Sequence, residues 1–273
     1  MKGIKANMMI GGICLATILL ASVIGILASP YSALEMDFLN RFAPPSASHW
    51  FGTDEYGRDV FTRIANGTFV SLRVSLAAVV LAVSAGTVIG AATGYFGGWL
   101  DRTAMVCIDS IMAFPGLLLV LGIMSALGPN EAGIIFALGI AYTPPITRVV
   151  RGTVYSLRER EFVDASRLIG NPEAVTIFRH VLPNCITPVV VISTSIFTAA
   201  LLSETALSFL GLGVPPPAPS WGSMLADSRN YLGLNPWMGI FPGLAISFTL
   251  LSINLVGDAL RDRWDPRLRE VEA

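Results

Sequence analysis

The sequence predicts an all-α transmembrane protein with six spanning helices. Of its 273 residues, 53% are hydrophobic and only 14% are charged, against roughly 45–50% and 25% in a soluble domain. Six stretches with no or few charges approach or reach the roughly 17–25 residues that a helix needs to cross a bilayer. The predicted spans lie within residues 8–29, 74–100, 110–130, 132–147, 181–203 and 231–257.

The first and the fourth span each need a further argument. Lys2 and Lys5 precede the first apolar run, as in a cleavable signal peptide. That run is longer than the roughly 7–15 apolar residues of a signal peptide, so we expect a retained anchor. The fourth span is the shortest, and Arg148 and Arg151 follow it. Their long side chains can reach the membrane interface, which would let the helix continue beyond residue 147.

The distribution of positive charge predicts the orientation. If the N-terminus is cytoplasmic, the cytoplasmic segments contain thirteen of the eighteen lysines and arginines, in agreement with the positive-inside rule. Six spans then place both termini in the cytoplasm. We expect residues 1–70 to form the N-terminal anchor and an extracytoplasmic segment, residues 71–260 the main transmembrane domain, and residues 261–273 a cytoplasmic tail.

The sequence offers no catalytic residues and no metal site. Cys14, Cys107 and Cys185 lack CxxC spacing, and His49 and His180 are far apart and outside any HExxH motif. No GxxxxGK[ST] motif is present, so neither an ATP site nor any other cofactor is expected on this chain. A net charge of −1 and the lack of a basic arm argue against nucleic acid, which leaves membrane lipid as the surrounding partner.

The longest predicted cytoplasmic stretch, residues 148–183, contains two short amphipathic patterns. Gly170 ends the first predicted helix, and Asn171 and Pro172 are expected as the N-cap and first residue of the second. Apolar stripes of this kind either rest on the protein's own spans or fill a groove on a partner. The stripes are Phe162, Ala165, Ser166 and Ile169 in the first helix, and Ala174, Ile177, Phe178 and Val181 in the second.

The same stretch resembles the EAA loop of ATP-binding-cassette (ABC) importer permeases. That pattern is EAA, three residues, Gly, nine residues and I-x-L-P, and this chain keeps the spacing with Asp164, Ser166 and His180 as departures. The resemblance implies a coupling loop, within residues 151–183, that docks on an ATPase subunit. The expected coupling residues are Glu161, Phe162, Asp164, Ala165, Ser166, Ile169, Gly170, Leu182 and Pro183.

Further segments are similar to the C-type permease subunit of the peptide and nickel importer branch. Such a resemblance implies a six-helix type I ABC importer permease fold in the bacterial cytoplasmic (inner) membrane. Locally, Asp59 and Arg63 stand four residues apart and predict a short interfacial helix before the second span. The similar segments are residues 51–60 (FGTDEYGRDV), 94–99 (GYFGGW), 207–213 (LSFLGLG), 219–222 (PSWG) and 265–268 (DPRL).

The resemblance also implies a function and a set of partners. These are a second homologous permease, two ABC ATPase subunits that bind ATP and Mg, and an extracytoplasmic solute-binding protein. Together they would import di- or oligopeptides. Nickel, glutathione or another small solute would use nearly the same scaffold, and the sequence of the spans does not separate these solutes.

Residues of the translocation path are harder to predict. Glu204, just past the fifth span, and Asn254, in the sixth, are the polar groups nearest the bilayer that could face a path. The alternatives are an interfacial cap for Glu204 and a helix–helix hydrogen bond for Asn254. Two other classes remain: an ion-coupled secondary carrier, which needs ionisable groups near the midplane, and a membrane-embedded hydrolase, which needs a nucleophile and base. The spans offer essentially neither.

Overall fold

Helices account for nearly all regular structure in this protein. The computed structural model describes residues 2–264, with side chains from residue 6 onward, so the DPRL segment at 265–268 lies outside the described residues. Within that range there are ten α-helices and no β-strand. The helices are α1 (Lys2–Leu27), α2 (Val60–Phe96), α3 (Gly98–Met112), α4 (Gly116–Leu127), α5 (Glu131–Leu157), α6 (Glu161–Leu168), α7 (Glu173–Thr176), α8 (Leu182–Phe209), α9 (Trp221–Ser228) and α10 (Trp237–Trp264).

Five crossings are long and apolar enough to span a membrane: α1, α2, α5, α10, and α8 together with α7. The sixth is a bent pair, because α3 and α4 meet at an angle of 91°. The all-α transmembrane fold is thus confirmed, and the third crossing, predicted within residues 110–130, is this bent pair, which begins earlier, at Gly98. Pro115 precedes α4; it has no N–H to donate and disfavours the helical conformation at Phe114.

The molecule has two distinct ends. One end, which we call the cap end, is covered by residues 28–59 and 210–236. The other, the loop end, carries residues 158–181 between α5 and α8. Consecutive spans run between these ends in alternating directions, with α3 and α4 acting as one crossing.

As expected, the helix α5 continues beyond residue 147, and it ends at Leu157. Arg148 and Arg151 lie inside it, and both are neutralised by the neighbouring α3. The Arg148 guanidinium contacts Asp109 at 2.5 Å, and Arg151 makes two contacts with Asp101, at 2.5 and 2.6 Å. Because a carboxylate offsets each charge, the helix need not end where its uncharged run ends.

The helix α2 likewise begins earlier than predicted, at Val60. Asp59 is its N-cap and accepts a hydrogen bond from the Thr62 amide at 2.8 Å, so the expected separate interfacial helix is instead the first part of α2. Arg73 would have ended an uncharged span, but its guanidinium contacts Glu131 of α5 at 2.7 Å. The helix α2 therefore extends beyond the predicted second span at its N-terminal end, as α5 extends beyond the fourth at its C-terminal end.

Three glycines bring α2 and α5 into close contact. Gly86, Gly90 and Gly94 recur every four residues along one face of α2. A Cβ on Gly90 would lie 2.7 Å from the Thr147 carbonyl oxygen, and a Cβ on Gly94 would lie 2.7 Å from that of Arg151. Small residues at this spacing allow two membrane helices to pack backbone against backbone, so α2 and α5 form a tight pair.

The cap end is held to the spans by aromatic and amide contacts. The rings of Phe51 and Phe241 stack with their centroids 4.0 Å apart, which joins the capping segment to α10. Asn235 donates from Nδ2 to the Thr53 carbonyl oxygen at 3.0 Å. Trp221, the first residue of α9, is completely buried. The capping segments are therefore an integral part of the core.

Candidate functional site

The segment between α5 and α8 folds into an ordered loop at the loop end. The helix α6 begins at Glu161 and ends at Leu168. Gly170 follows with a φ of +85°, a left-handed conformation that glycine adopts without the steric cost of a Cβ. The predicted order of helix, glycine turn and helix is confirmed.

Hydrogen bonds fasten the two halves of this loop together. The buried hydroxyl oxygens of Ser166 and Thr176 lie 2.9 Å apart. Asn171 donates from Nδ2 to Ser166 Oγ at 3.1 Å, and its backbone N–H donates to the Ser166 carbonyl oxygen. The prediction that Asn171 caps the second helix is wrong, because its side chain bonds backward to α6. That helix begins at Glu173, after Pro172.

The inward face of α6 shares only Ser166 with the predicted stripe. Val163 and Ser166 are its buried residues, and Val163 belongs to a cluster that includes Val154 of α5 and Val181. One residue turns a helix face by about 100°, so packing Val163 inward rotates the rest of the predicted stripe outward. The stripe residues that are exposed are Phe162, Ala165 and Ile169.

The outward surface of the loop combines apolar and charged side chains. Leu168 is 88% exposed and Ile169 is 80% exposed, and Phe178 from the second half of the loop is 71% exposed. Asp164 and Glu161 are also exposed beside them. Exposed large apolar residues grouped with charges are typical of a protein–protein interface.

The second half of the loop joins α8 without a break. After α7, Ile177–Val181 forms a π-helical turn, and α8 begins at Leu182 with Pro183 in its first turn. Val181 is buried, whereas Phe178 of the same predicted stripe is exposed. π-Helical turns are rare and frequently mark functional positions. Leu182 and Pro183 therefore lie on a spanning helix that is continuous with the loop.

One residue of this site is missed when the sequence is read alone. In the sequence, Tyr95 of the GYFGGW segment is only part of a family resemblance, and the structure places it beside the loop. The Tyr95 hydroxyl donates to Glu173 Oε2. The Arg167 guanidinium lies over the Tyr95 ring, 5.2 Å from its centroid. Residues 94–99 and the loop are far apart in the sequence, so no local sequence pattern predicts that they lie close together in space.

The structure buries Glu204 completely. Ser208 Oγ donates to its Oε1 at 2.8 Å, and its Oε2 has no hydrogen-bond partner among the described residues. Glu204 packs with the buried Thr205 and Ser208 in α8 and does not line the groove between α8 and α10. Its role in a translocation path stays a prediction.

Asn254 lies in a more open position. It accepts a hydrogen bond from Thr198 Oγ1 of α8 at 3.1 Å, so the helix–helix bond is present. It also lines the groove between α8 and α10, which has a volume of about 330 Å³ and lies next to residues of α5. The polar and charged groups that share this groove are Thr194, Ser195, Asp258 and Arg261.

The FGTDEYGRDV segment forms a buried charge network at the cap end. Asp54 contacts Arg58 at 2.6 Å and Arg63 at 3.3 Å, and Arg63 also reaches Asp227 of α9 at 3.5 Å. Burial raises the pKa of the Glu55 carboxyl, which pairs with Arg58 at 3.2 Å. Burial also raises the pKa of Asp227. The motif thus ties the capping segment, α2 and α9 together.

Several curated proteins are similar to this chain over most of its length. A dipeptide transport system permease protein from Alkalihalophilus pseudofirmus is 41% identical over 98% of this chain and 89% of its own. A putative peptide transport system permease protein from Brucella suis is 47% identical over 84% of this chain and 77% of its own. A glutathione transport system permease protein from Escherichia coli is 39% identical over 92% of this chain and 84% of its own.

Solved structures and a family match agree with these relatives. The MetNI methionine ABC transporter, in an inward-facing conformation, superposes with a TM-score of 0.57 at 17% identity, over 72% of this chain and 94% of that one. An amino acid ABC transporter gives a TM-score of 0.54 at 17% identity, over 73% and 93%. Residues 86–270 match the family described as binding-protein-dependent transport system inner membrane component. With relatives of 41–47% identity across most of the chain, this protein belongs to that family of ABC importer permeases.

Proposed function

We propose that the loop between α5 and α8 is the element through which this permease docks on an ATPase subunit. The observation that carries the proposal is the rigid, outward-facing end of α6. Val163 and Ser166 fix the helix from beneath, while Leu168 and Ile169 stand 88% and 80% exposed at its end. A folded loop that leaves its large apolar residues in solvent gains free energy when a partner covers them.

The proposed complex has the loop end in the cytoplasm. Two ABC ATPases would bind there and supply the ATP and Mg chemistry. A second homologous permease would lie beside residues 71–260, and an extracytoplasmic solute-binding protein would face the cap end. This orientation is supported by the excess of positive residues near the loop end. In this arrangement ATP binding closes the pair of ATPase subunits. The helix α6 moves with the ATPase cleft in which it docks, and the spans alternate between inward and outward access.

The proposed solute is a di- or oligopeptide, with glutathione or nickel as the alternatives. The groove that contains Asn254 supports a polar, charged solute, because Asp258 and Arg261 offer both signs of charge. Polar groups exposed on spanning helices are costly in lipid, so they are expected to face water or a solute. Two of the relatives are named for peptides and one for glutathione, which is consistent with this chemistry.

The docking proposal is tested by placing a charge on the exposed end of α6. We expect Ile169→Asp to abolish co-purification of the permease pair with the ATPase subunits, because it buries a carboxylate in an apolar contact. The control is Leu39→Asp, at a residue that is 96% exposed at the cap end. If both variants retain the ATPase subunits equally, the docking role of the loop is wrong.

The transport proposal is tested in proteoliposomes that contain the whole complex and its binding protein. Uptake of a labelled dipeptide is measured in competition with glutathione and with nickel. We expect peptide uptake to need ATP and to persist when proton and sodium gradients are dissipated. Uptake driven by an ion gradient without ATP would instead support a secondary carrier. Asn254→Ala should weaken uptake without changing ATPase binding.

A further inference from the structure

The coupling loop makes a three-residue polar contact with the end of α2. Tyr95, in the last turn of that helix, is only 5% exposed. Its hydroxyl donates to Glu173 Oε2 in the second half of the loop. Arg167 of α6 lies over the Tyr95 ring at 5.2 Å and 3.9 Å from Glu173. One side chain of α2 therefore contacts both halves of the loop.

The two sides of this contact are each rigid. Within the loop, the bond between the Ser166 and Thr176 hydroxyls joins α6 to α7. On the other side, Gly94 packs so closely on α5 that a Cβ would lie 2.7 Å from the Arg151 carbonyl oxygen. Arg158, just beyond α5, donates to the Gly94 carbonyl oxygen at 3.4 Å. A displaced loop would therefore act at Tyr95 on α2 and α5, which move together as one body.

The contact is specific in its chemistry. A phenol that donates to a carboxylate forms a charge-assisted hydrogen bond, which is stronger than a bond between neutral groups. The guanidinium above the ring adds a cation–π interaction. Arg167 also lies 3.5 Å from Asp164, an exposed residue on the surface proposed to meet the ATPase. A chain of contacts therefore runs from Asp164 through Arg167 to Tyr95.

We propose that Tyr95 is a positioning residue that transmits movement of the docked loop to the α2–α5 pair. The inference rests on the proposed docking of the loop on an ATPase subunit. Without the Tyr95 hydroxyl, the loop still docks and follows the ATPase, but α2 and α5 follow it less faithfully. ATP is then hydrolysed with less solute moved for each molecule consumed.

The test uses the complete complex in proteoliposomes and measures ATP hydrolysis and solute uptake together. Tyr95→Phe keeps the buried ring and removes only the hydroxyl. We expect the ATPase subunits to remain bound and the ratio of solute transported to ATP hydrolysed to fall by about tenfold or more, as expected for a lost hydrogen bond to a carboxylate. Tyr155→Phe is the control, because Tyr155 also lies under an arginine, with Arg158 at 4.3 Å, but is 49% exposed. Its transport ratio should not change.

Three further variants test whether Tyr95 and Glu173 act through the same bond. Glu173→Ala should lower the ratio as Tyr95→Phe does, and the double variant should be no worse than either single one, because both remove the same bond. Glu173→Gln, which keeps an acceptor oxygen, should restore part of the ratio. An unchanged ratio in Tyr95→Phe, or loss of ATPase binding with it, overturns the positioning role. Failure of the unaltered complex to bind ATPase subunits would instead overturn the docking proposal.

Discussion

The close packing of α2 on α5 makes a quantitative prediction for Gly90→Ala. The added Cβ would lie 2.7 Å from the Thr147 carbonyl oxygen and 3.0 Å from the Arg151 nitrogen. Both are backbone atoms, so neither can rotate away. An ordinary contact begins at 3.4 Å, so the helices must separate locally by about 0.7 Å, the difference between 3.4 and 2.7 Å. Overpacking of this kind costs about 1–3 kcal/mol.

The control for this change is Gly152→Ala on α5. A Cβ at Gly152 meets no described atom within 4 Å, apart from its neighbours in the helix. Both substitutions gain the same helix propensity, about 0.5–1 kcal/mol. The difference between the two variants therefore isolates the packing cost. We expect Gly90→Ala to unfold at a temperature lower by a few degrees than Gly152→Ala, since about 1 kcal/mol shifts the midpoint of a chain near this size by about 2–4 °C.

The assay is thermal unfolding of the purified complex in detergent, followed by the fluorescence of a thiol-reactive dye. Uptake by the same preparations should fall with Gly90→Ala, because α2 and α5 would no longer move as one body. If Gly90→Ala unfolds at or above the temperature of Gly152→Ala, the reasoning from close packing is wrong.

Three further changes test other parts of the molecule. Arg63→Met should destabilise the protein by about 2 kcal/mol or more, somewhat below the roughly 3–5 kcal/mol for a fully unpaired buried charge. Arg73→Met, which removes an exposed ion pair, should cost under about 1 kcal/mol in the same thermal assay. Burial raises the pKa of the folded Glu55 carboxyl above 4.5. This raised pKa adds to the free energy of unfolding. The addition is fully present below pH 4.5 and is lost as pH rises through the raised pKa. As pH rises above about 4.5, the unfolding temperature of the parent should therefore fall relative to that of Glu55→Gln, and parallel pH profiles of the two proteins would contradict this. Gly170→Ala should lower the free energy of unfolding by about 1–2 kcal/mol, because of the left-handed φ alone. Gly170→Asn should recover part of this loss. Identical unfolding temperatures for the parent and both variants would disprove the claim.

The sequence was most informative where a pattern depends on neighbours along the chain. Gly170 was expected to end α6, and it does so with a positive φ. The uncharged runs placed the loop between the fourth and fifth spans, and the structure has it between α5 and α8. Such features are local, since a turn residue and a helical period each act within a few positions.

The errors arose where a charge or a side chain is satisfied by a distant partner. Arg151 was expected to reach the membrane interface, but its guanidinium instead contacts Asp101, fifty residues earlier. Val163 was not singled out in α6, yet it is the residue of that helix that packs in a cluster with Val154 of α5. Tyr95 was not recognised at all, because its partner Glu173 is seventy-eight residues away. A single sequence does not specify contacts of this kind.

The ion pairs between α3 and α5 also bear on how the protein is made. A lone arginine in a spanning helix costs roughly 2.5–3.5 kcal/mol during insertion at the bilayer centre, and less toward the ends. Asp101 and Asp109 leave the ribosome before Arg148 and Arg151 do. When α5 reaches the insertion machinery, its counter-charges are therefore already in the membrane. We expect α3 and α5 to enter lipid as a cooperative unit, so loss of Asp101 would impair biogenesis before it impaired transport.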